Sequence, residues 1–102
     1  MELDSNISRK SEFLIGSVLL SIQGATKNLR EALENGNSQI ILIRRRELHL
    51  VLQRGELFNN KCSPIISIMA FRLLRNLKSE VLIANSLIYD ASLVLSQSLS
   101  LA

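Results

Sequence analysis

Residues 70–95, AFRLLRNLKSEVLIANSLIYDASLVL, carry apolar side chains at Ala70, Leu74, Leu77, Val81, Ala84, Ile88, Ala91 and Leu95. Every step between them is 4 or 3, and a helical turn takes 3.6 residues, so these positions share one side of a helix. A strand would need same-face neighbours two residues apart. Leu73, Leu87 and Val94 lie beside this seam and widen it. Upstream, Ser63-Pro64 has the chemistry of a helix start: Ser caps, and Pro takes the first position, where its missing N–H costs nothing. The spacing predicts a helix near 64–97, fraying toward the Ser-rich end.

The same pattern recurs at the other end of the chain. Ile15, Val18, Ile22, Ala25, Leu29 and Ala32 follow steps of 3, 4, 3, 4 and 3, with Leu14, Leu19 and Leu33 alongside. This predicts a helix near 6–35, with Asp4, Ser5 and Asn6 as candidate N-caps and Asn35-Gly36 as the left-handed stop. Gly16 and Gly24 each weaken it by about 1 kcal/mol relative to Ala. Between the two lies 38–58, with Ser38 placed to cap a new helix. Ile41, Leu48, Val51 or Leu52, and Phe58 can share a face that Arg44 or Arg45 interrupts. Leu48, Leu50 and Leu52 also alternate with polar or branched residues, which is a strand signature, but length and the run Arg44 to Glu47 favour helix. Gly55 is expected to fray or end this segment, and Phe58-Asn59-Asn60-Lys61-Cys62 reads as a polar connector.

Three helices with short connectors pack as antiparallel neighbours. The expected fold is therefore all-α: a three-helix antiparallel bundle, made of a helical hairpin plus a long C-terminal helix, in one domain over residues 1–102. A chain of 102 residues buries only a modest fraction of its surface, so completion by oligomerisation is expected. With 47% apolar residues the chain is too hydrophobic for intrinsic disorder, and its four aromatic residues leave a core of Leu and Ile.

Chemistry-bearing residues are few. His49 is the single histidine and Cys62 the single cysteine, so a four-ligand zinc site and an internal disulfide are both beyond this chain. The four glycines are isolated, which removes the phosphate-binding glycine loops. No G-x-S-x-G context surrounds any serine, and Glu31 and Glu34 flank Arg30 one turn apart as a solvated face. No catalytic residue, cofactor or metal is expected, and no enzyme. The uncharged stretch Phe13 to Thr26 is 14 residues, too short to span a bilayer. Val81 to Ala102 is long enough, but Asp90 at its middle costs roughly 2.5–3.5 kcal/mol on insertion. The start, Met1-Glu2-Leu3-Asp4, has neither the basic segment nor the apolar stretch of a secretory signal. A reducing intracellular compartment, the cytoplasm, fits these features.

The net charge of +3 is concentrated mid-chain: residues 35–61 carry five Lys/Arg against two Asp/Glu. Arg44, Arg45, Arg46 and Arg54 supply most of it, and Arg72, Arg75 and Lys78 lie on one side of the last segment. Duplex RNA is read by shape through phosphates and 2′-hydroxyls, which a helical protein manages without aromatic residues. Leu, Ser and Arg, the three amino acids with six codons, make up 42 of the 102 residues. Such a bias arises when one reading frame overprints another, as in compact viral genomes.

Two local resemblances complete the reading. The layout of a helix, a break at Asn35-Gly36-Asn37-Ser38, a basic helix and a long final helix bearing Ala84-Asn85-Ser86-Leu87-Ile88 resembles the flagellar and type III export chaperones. That resemblance rests on helical periodicity and implies a small bundle that holds a protein substrate. Ser17 to Ala25 is similar to a helix in a small coronavirus replicase cofactor, over nine residues whose flanks do not continue the match. Neither assigns a family. The reading is a non-enzymatic helical interaction protein of chaperone, adaptor or inhibitor type. Its partner, a second copy in a homodimer or another protein's helix, would meet the apolar face Leu73, Leu74, Leu77, Val81, Ala84, Leu87, Ile88 and Val94. The alternative is a viral-type accessory protein that binds double-stranded RNA through Arg44, Arg45, Arg46 and Arg54.

Overall fold

Two residues, Gly36 and Asn37, turn the chain from its first helix into its second. Gly36 takes the left-handed conformation (φ 75°), which costs a residue without Cβ nothing, and its N–H donates to the Ala32 carbonyl at 3.0 Å. Asn37 then starts the next helix. Its side-chain Oδ1 accepts from the N–H groups of Gln39 (3.0 Å) and Ile40 (3.2 Å), and its carbonyl accepts from Ile41 N–H at 2.9 Å. The cap is thus Asn37 and not Ser38, because the residue before the first helical position is the one whose side chain reaches the free amides.

In this computed structural model the described backbone covers residues 2–61 and 68–101, and the described side chains cover 12–55, 68, 69 and 71–97. Three helices account for nearly all of it: α1 (Glu2–Asn35), α2 (Ser38–Lys61) and α3 (Ile68–Leu101). All three pack against one another as a three-helix bundle, and no strand occurs among the described residues. The bundle is a rod of 62 × 19 × 16 Å. Its length follows from its helices, since the 34 residues of α1 or α3 rise about 51 Å at 1.5 Å each.

The boundaries differ from the sequence expectations in informative ways. α1 begins at Glu2, so Asp4, Ser5 and Asn6 lie inside the helix rather than capping it. α2 is helical throughout: Leu48 and Leu52, one turn apart, are buried, while Leu50 faces solvent, so the alternation of leucines is not a strand face. α2 also passes through Gly55 and residues 58–61 without stopping. α3 continues through the Ser-rich end to Leu101. The Ser63-Pro64 start, Cys62 and the Phe58 side chain lie outside the described residues.

Gly55 explains why α2 tolerates it. A Cβ there would lie 2.9 Å from Ile22 Cδ1, 3.6 Å from Val18 Cγ1 and 3.8 Å from Leu77 Cδ1, so all three helices converge on the absent side chain. Together with the hydrogen bonds Arg45 Nε to Ser92 Oγ (2.9 Å) and Gln23 Nε2 to Glu80 Oε1 (3.5 Å), this sets the register. α2 runs antiparallel to both neighbours, which leaves α1 and α3 parallel.

The core takes Ile15, Leu19, Ile22, Leu29 and Ala32 from α1, Ile41, Leu48 and Leu52 from α2, and Leu77, Ala84 and Ala91 from α3. Val18, Ala25, Leu33 and Val51 pack against it, partly buried. One polar side chain sits among them. Thr26 on α1 is 3% exposed, and its Oγ1 has no hydrogen-bond partner. A buried hydroxyl left unpaired costs about 1–3 kcal/mol, so the seam is not fully optimised at this level.

Candidate functional site

The face of α3 predicted to meet a partner mostly faces inward. Leu77 and Ala84 are fully buried, and Leu73, Leu74, Val81, Leu87 and Ile88 are partly buried and packed on the core; Val94 alone of the set is exposed. α1 and α2 together cover nearly the whole width of that stripe. What remains for a second molecule is the opposite side of the same helix.

There Leu82, Ser86, Tyr89 and Leu93 follow steps of 4, 3 and 4, half a turn away from the buried Leu77, Ala84 and Ala91. Leu82 is 71% exposed, Tyr89 64% and Leu93 46%, with Ser86 exposed between them. No residue of this stripe is charged. Glu80 and Asp90 are the only ionisable groups from Ser79 to Gln97 other than Tyr89; Glu80 faces α1, and Asp90 borders the stripe on its α1 side. Glu80 accepts the hydrogen bond from Gln23, and Asp90 lines a shallow groove between α1 and α3 with Arg30, Leu82, Ile83, Ser86 and Leu87.

Sequence reading did not single out this second stripe. Its signal was present, since 82, 86, 89 and 93 obey the heptad rule as well as 77, 81, 84 and 88 do. The inner stripe won attention because it is longer and unbroken. α3 buries Leu77, Ala84 and Ala91 fully against its neighbours, and the residues half a turn away, Leu82, Tyr89 and Leu93, stay on the surface.

The four arginines of the nucleic-acid alternative are engaged differently from one another. Arg44 Nη1 donates to both carboxylate oxygens of Glu47, at 3.0 and 3.2 Å, an ion pair whose side chains are 41% and 46% exposed. Arg45 turns the other way, half-buried against α3, where its Nε donates to Ser92 Oγ, which in turn donates to the Ile88 carbonyl at 2.9 Å. Arg46 and Arg54 are exposed, as are Arg72, Arg75 and Lys78. Of the predicted four, Arg44 pairs within α2, Arg45 ties α2 to α3, and Arg46 and Arg54 are open to solvent.

His49 is exposed with Gln53 beside it, the Nε2 atoms 3.4 Å apart. Among the described residues no three His, Cys, Asp or Glu side chains gather in one place. No helix among them is long and apolar enough to cross a membrane. Compared with protein-family models, with curated proteins and with solved structures, the chain matches none.

Proposed function

We propose that the protein is a non-enzymatic interaction module, of chaperone, adaptor or inhibitor type, that binds a helical partner through the outer face of α3. The observation that carries this is the uncharged stripe Leu82-Ser86-Tyr89-Leu93, exposed along about three turns of a helix whose inner face is already occupied. Helix-in-groove and helix-on-helix recognition both use anchors at this spacing. Contiguous apolar surface of this kind marks an interaction site more often than a plain solvent face. The engagement of Arg44 and Arg45 within the protein favours this reading over duplex RNA as the ligand.

The test is a photo-crosslinker at Tyr89, where an aromatic analogue replaces an exposed ring, compared with one at Lys27 on the polar outer side of α1. In the organism that makes the protein, position 89 is expected to yield a covalent protein adduct and position 27 none. Absence of any adduct at 89 removes the interaction reading. Adducts to RNA at Arg46 or Arg54 positions, lost at high salt as phosphate contacts require, would replace it with the alternative.

A further inference from the structure

We infer that the partner of this face is an acidic amphipathic helix of another protein, one that brings a pair of carboxylates to Arg72 and Arg75 and its apolar side chains to Leu82, Tyr89 and Leu93. The inference rests on the interaction reading above and names the partner's chemistry. Followed toward the start of α3, the outer line does not end at Leu82. Ser79, Arg75, Arg72 and Ile68 continue it in steps of 3, 4, 3 and 4, and all four are exposed. Two guanidinium groups therefore stand in line with the apolar side chains, and the exposed Lys78 lies beside them. Among the described residues no carboxylate pairs with any of the three. α2 treats its arginines differently, since Arg44 has Glu47 at 3.0 Å and Arg45 has Ser92 at 2.9 Å. An apolar line alone accepts any helix, but one that includes unpaired cations does not. A partner that covered Arg72 and Arg75 without an opposite charge would desolvate them uncompensated, whereas a carboxylate meets a guanidinium with two parallel hydrogen bonds.

Charge also separates the candidate occupants. The line from Ile68 to Leu93 contains no carboxylate, so a second copy has none in line to offer. Asp90 borders it, but an antiparallel pair that brought Asp90 to Arg75 would also set Leu93 against Arg72. A parallel pair would place arginine on arginine. Nucleic acid would meet three cations and then, over Leu82, Ser86, Tyr89 and Leu93, a surface with no charge to neutralise its phosphates. A helix that lies on an anionic bilayer carries cations along the length of its apolar stripe, and α3 has none beyond Lys78. The spacing is a further condition on the partner. Arg75 stands one heptad from Leu82, so the matching carboxylates lie about 10 Å along the partner helix from its first apolar anchor, at 1.5 Å per residue.

The experiment uses the full chain and two synthetic helical peptides. Both carry Leu at the spacing of the outer stripe and, one heptad away, a pair of residues three apart, Glu in one peptide and Lys in the other. Each is made in both sequence directions, and binding is read by fluorescence anisotropy. The Glu peptide is expected to bind at least about tenfold more tightly than the Lys peptide in one of its directions. Arg72→Glu with Arg75→Glu is expected to reverse that order, and circular dichroism checks that this variant is folded. Arg46→Glu with Arg54→Glu, on α2, is expected to change either affinity by less than about threefold. Equal binding of the two peptides, failure of the Glu peptide to bind, or an order that survives the reversal overturns the acidic partner. The crosslink at Tyr89 keeps the two proposals apart. Its adduct to another protein is expected to fall about tenfold or more in the Arg72→Glu, Arg75→Glu chain. An adduct that persists there removes the acidic partner and retains the interaction reading, as does an adduct to a second copy. Adducts to lipid or RNA alone, or none, remove both.

Discussion

α1 and α3 are equally long, lie parallel in the bundle and present heptad seams to the same neighbours, yet their backs differ. From Ser21 to Asn35, α1 exposes no large apolar side chain; its outer side there carries Gly24, Lys27 and Glu31. At the same height, α3 exposes Leu82, Ile83, Tyr89, Leu93 and Val94. The interiors differ in the converse sense. The fully buried side chains at this level are Ile22 and Leu29 on α1 and Ala84 and Ala91 on α3, where Leu87 and Ile88 pack beside the alanines, partly buried. Over 21–35 α1 turns its large apolar side chains to its neighbours, and its exposed Phe13, Leu14 and Leu20 lie outside that stretch. α3 at this level keeps large apolar side chains on its solvent side as well, which is the surface the proposed partner would cover.

The largest effects come from separating inner from outer sites. Leu77→Ala on α3 and Leu29→Ala on α1 each empty a fully buried position, and each is expected to lower unfolding free energy by about 3 kcal/mol. Leu82→Ala on the outer face should leave it within about 0.5 kcal/mol. Denaturant melts at one low protein concentration check this, so that association does not contribute. If Leu82→Ala cost as much as Leu77→Ala under those conditions, the contrast between the two sides of α3 would collapse.

A glycine series sharpens the comparison from the other direction. Gly55→Val forces three helices apart around Ile22 Cδ1, and about 2 kcal/mol of stability should be lost. Gly24, on the outer side of α1, has nothing within 4 Å of an added Cβ. Gly24→Ala should therefore stabilise by about 1 kcal/mol through helix propensity alone. Thermal melts in which both substitutions moved the midpoint in the same direction would show that Gly55 is not the contact point of the bundle.

An effect about as small as that of Gly24→Ala concerns the unpaired hydroxyl in α1's seam. Thr26→Val keeps the shape and removes an unpaired hydroxyl, so stability should rise by about 1 kcal/mol. A loss on Thr26→Val would mean that the hydroxyl does have a partner, such as an internal water, and that α1 is less dry inside than its geometry implies.

Much of this architecture was legible in the residues. The 3-4 steps in residues 15–32 and 70–95 named the faces of two helices, and Asn35-Gly36 marked the turn between the first two, because each is a local signal of pitch or of backbone conformation. Gly55 misled, since glycine in a helix can mean either an end or a close approach, and only the positions of Val18, Ile22 and Leu77 separate the two. The arginine run shows the same limit of local reading. Adjacent residues share a neighbourhood in sequence but point to different sides of α2, so Arg44 found Glu47 on its own helix and Arg45 found Ser92 on another.

By itself, then, the sequence determined helix number, helix type, the first turn and which residues travel together on a face. Tertiary structure alone decided which of α3's two heptad faces went inside. Periodicity states which side chains share a side, but it carries no information about where a second or third helix will lie. That choice was made by packing: Leu77, Ala84 and Ala91 are buried against α1 and α2, and Leu82, Tyr89 and Leu93, half a turn away, are therefore on the surface.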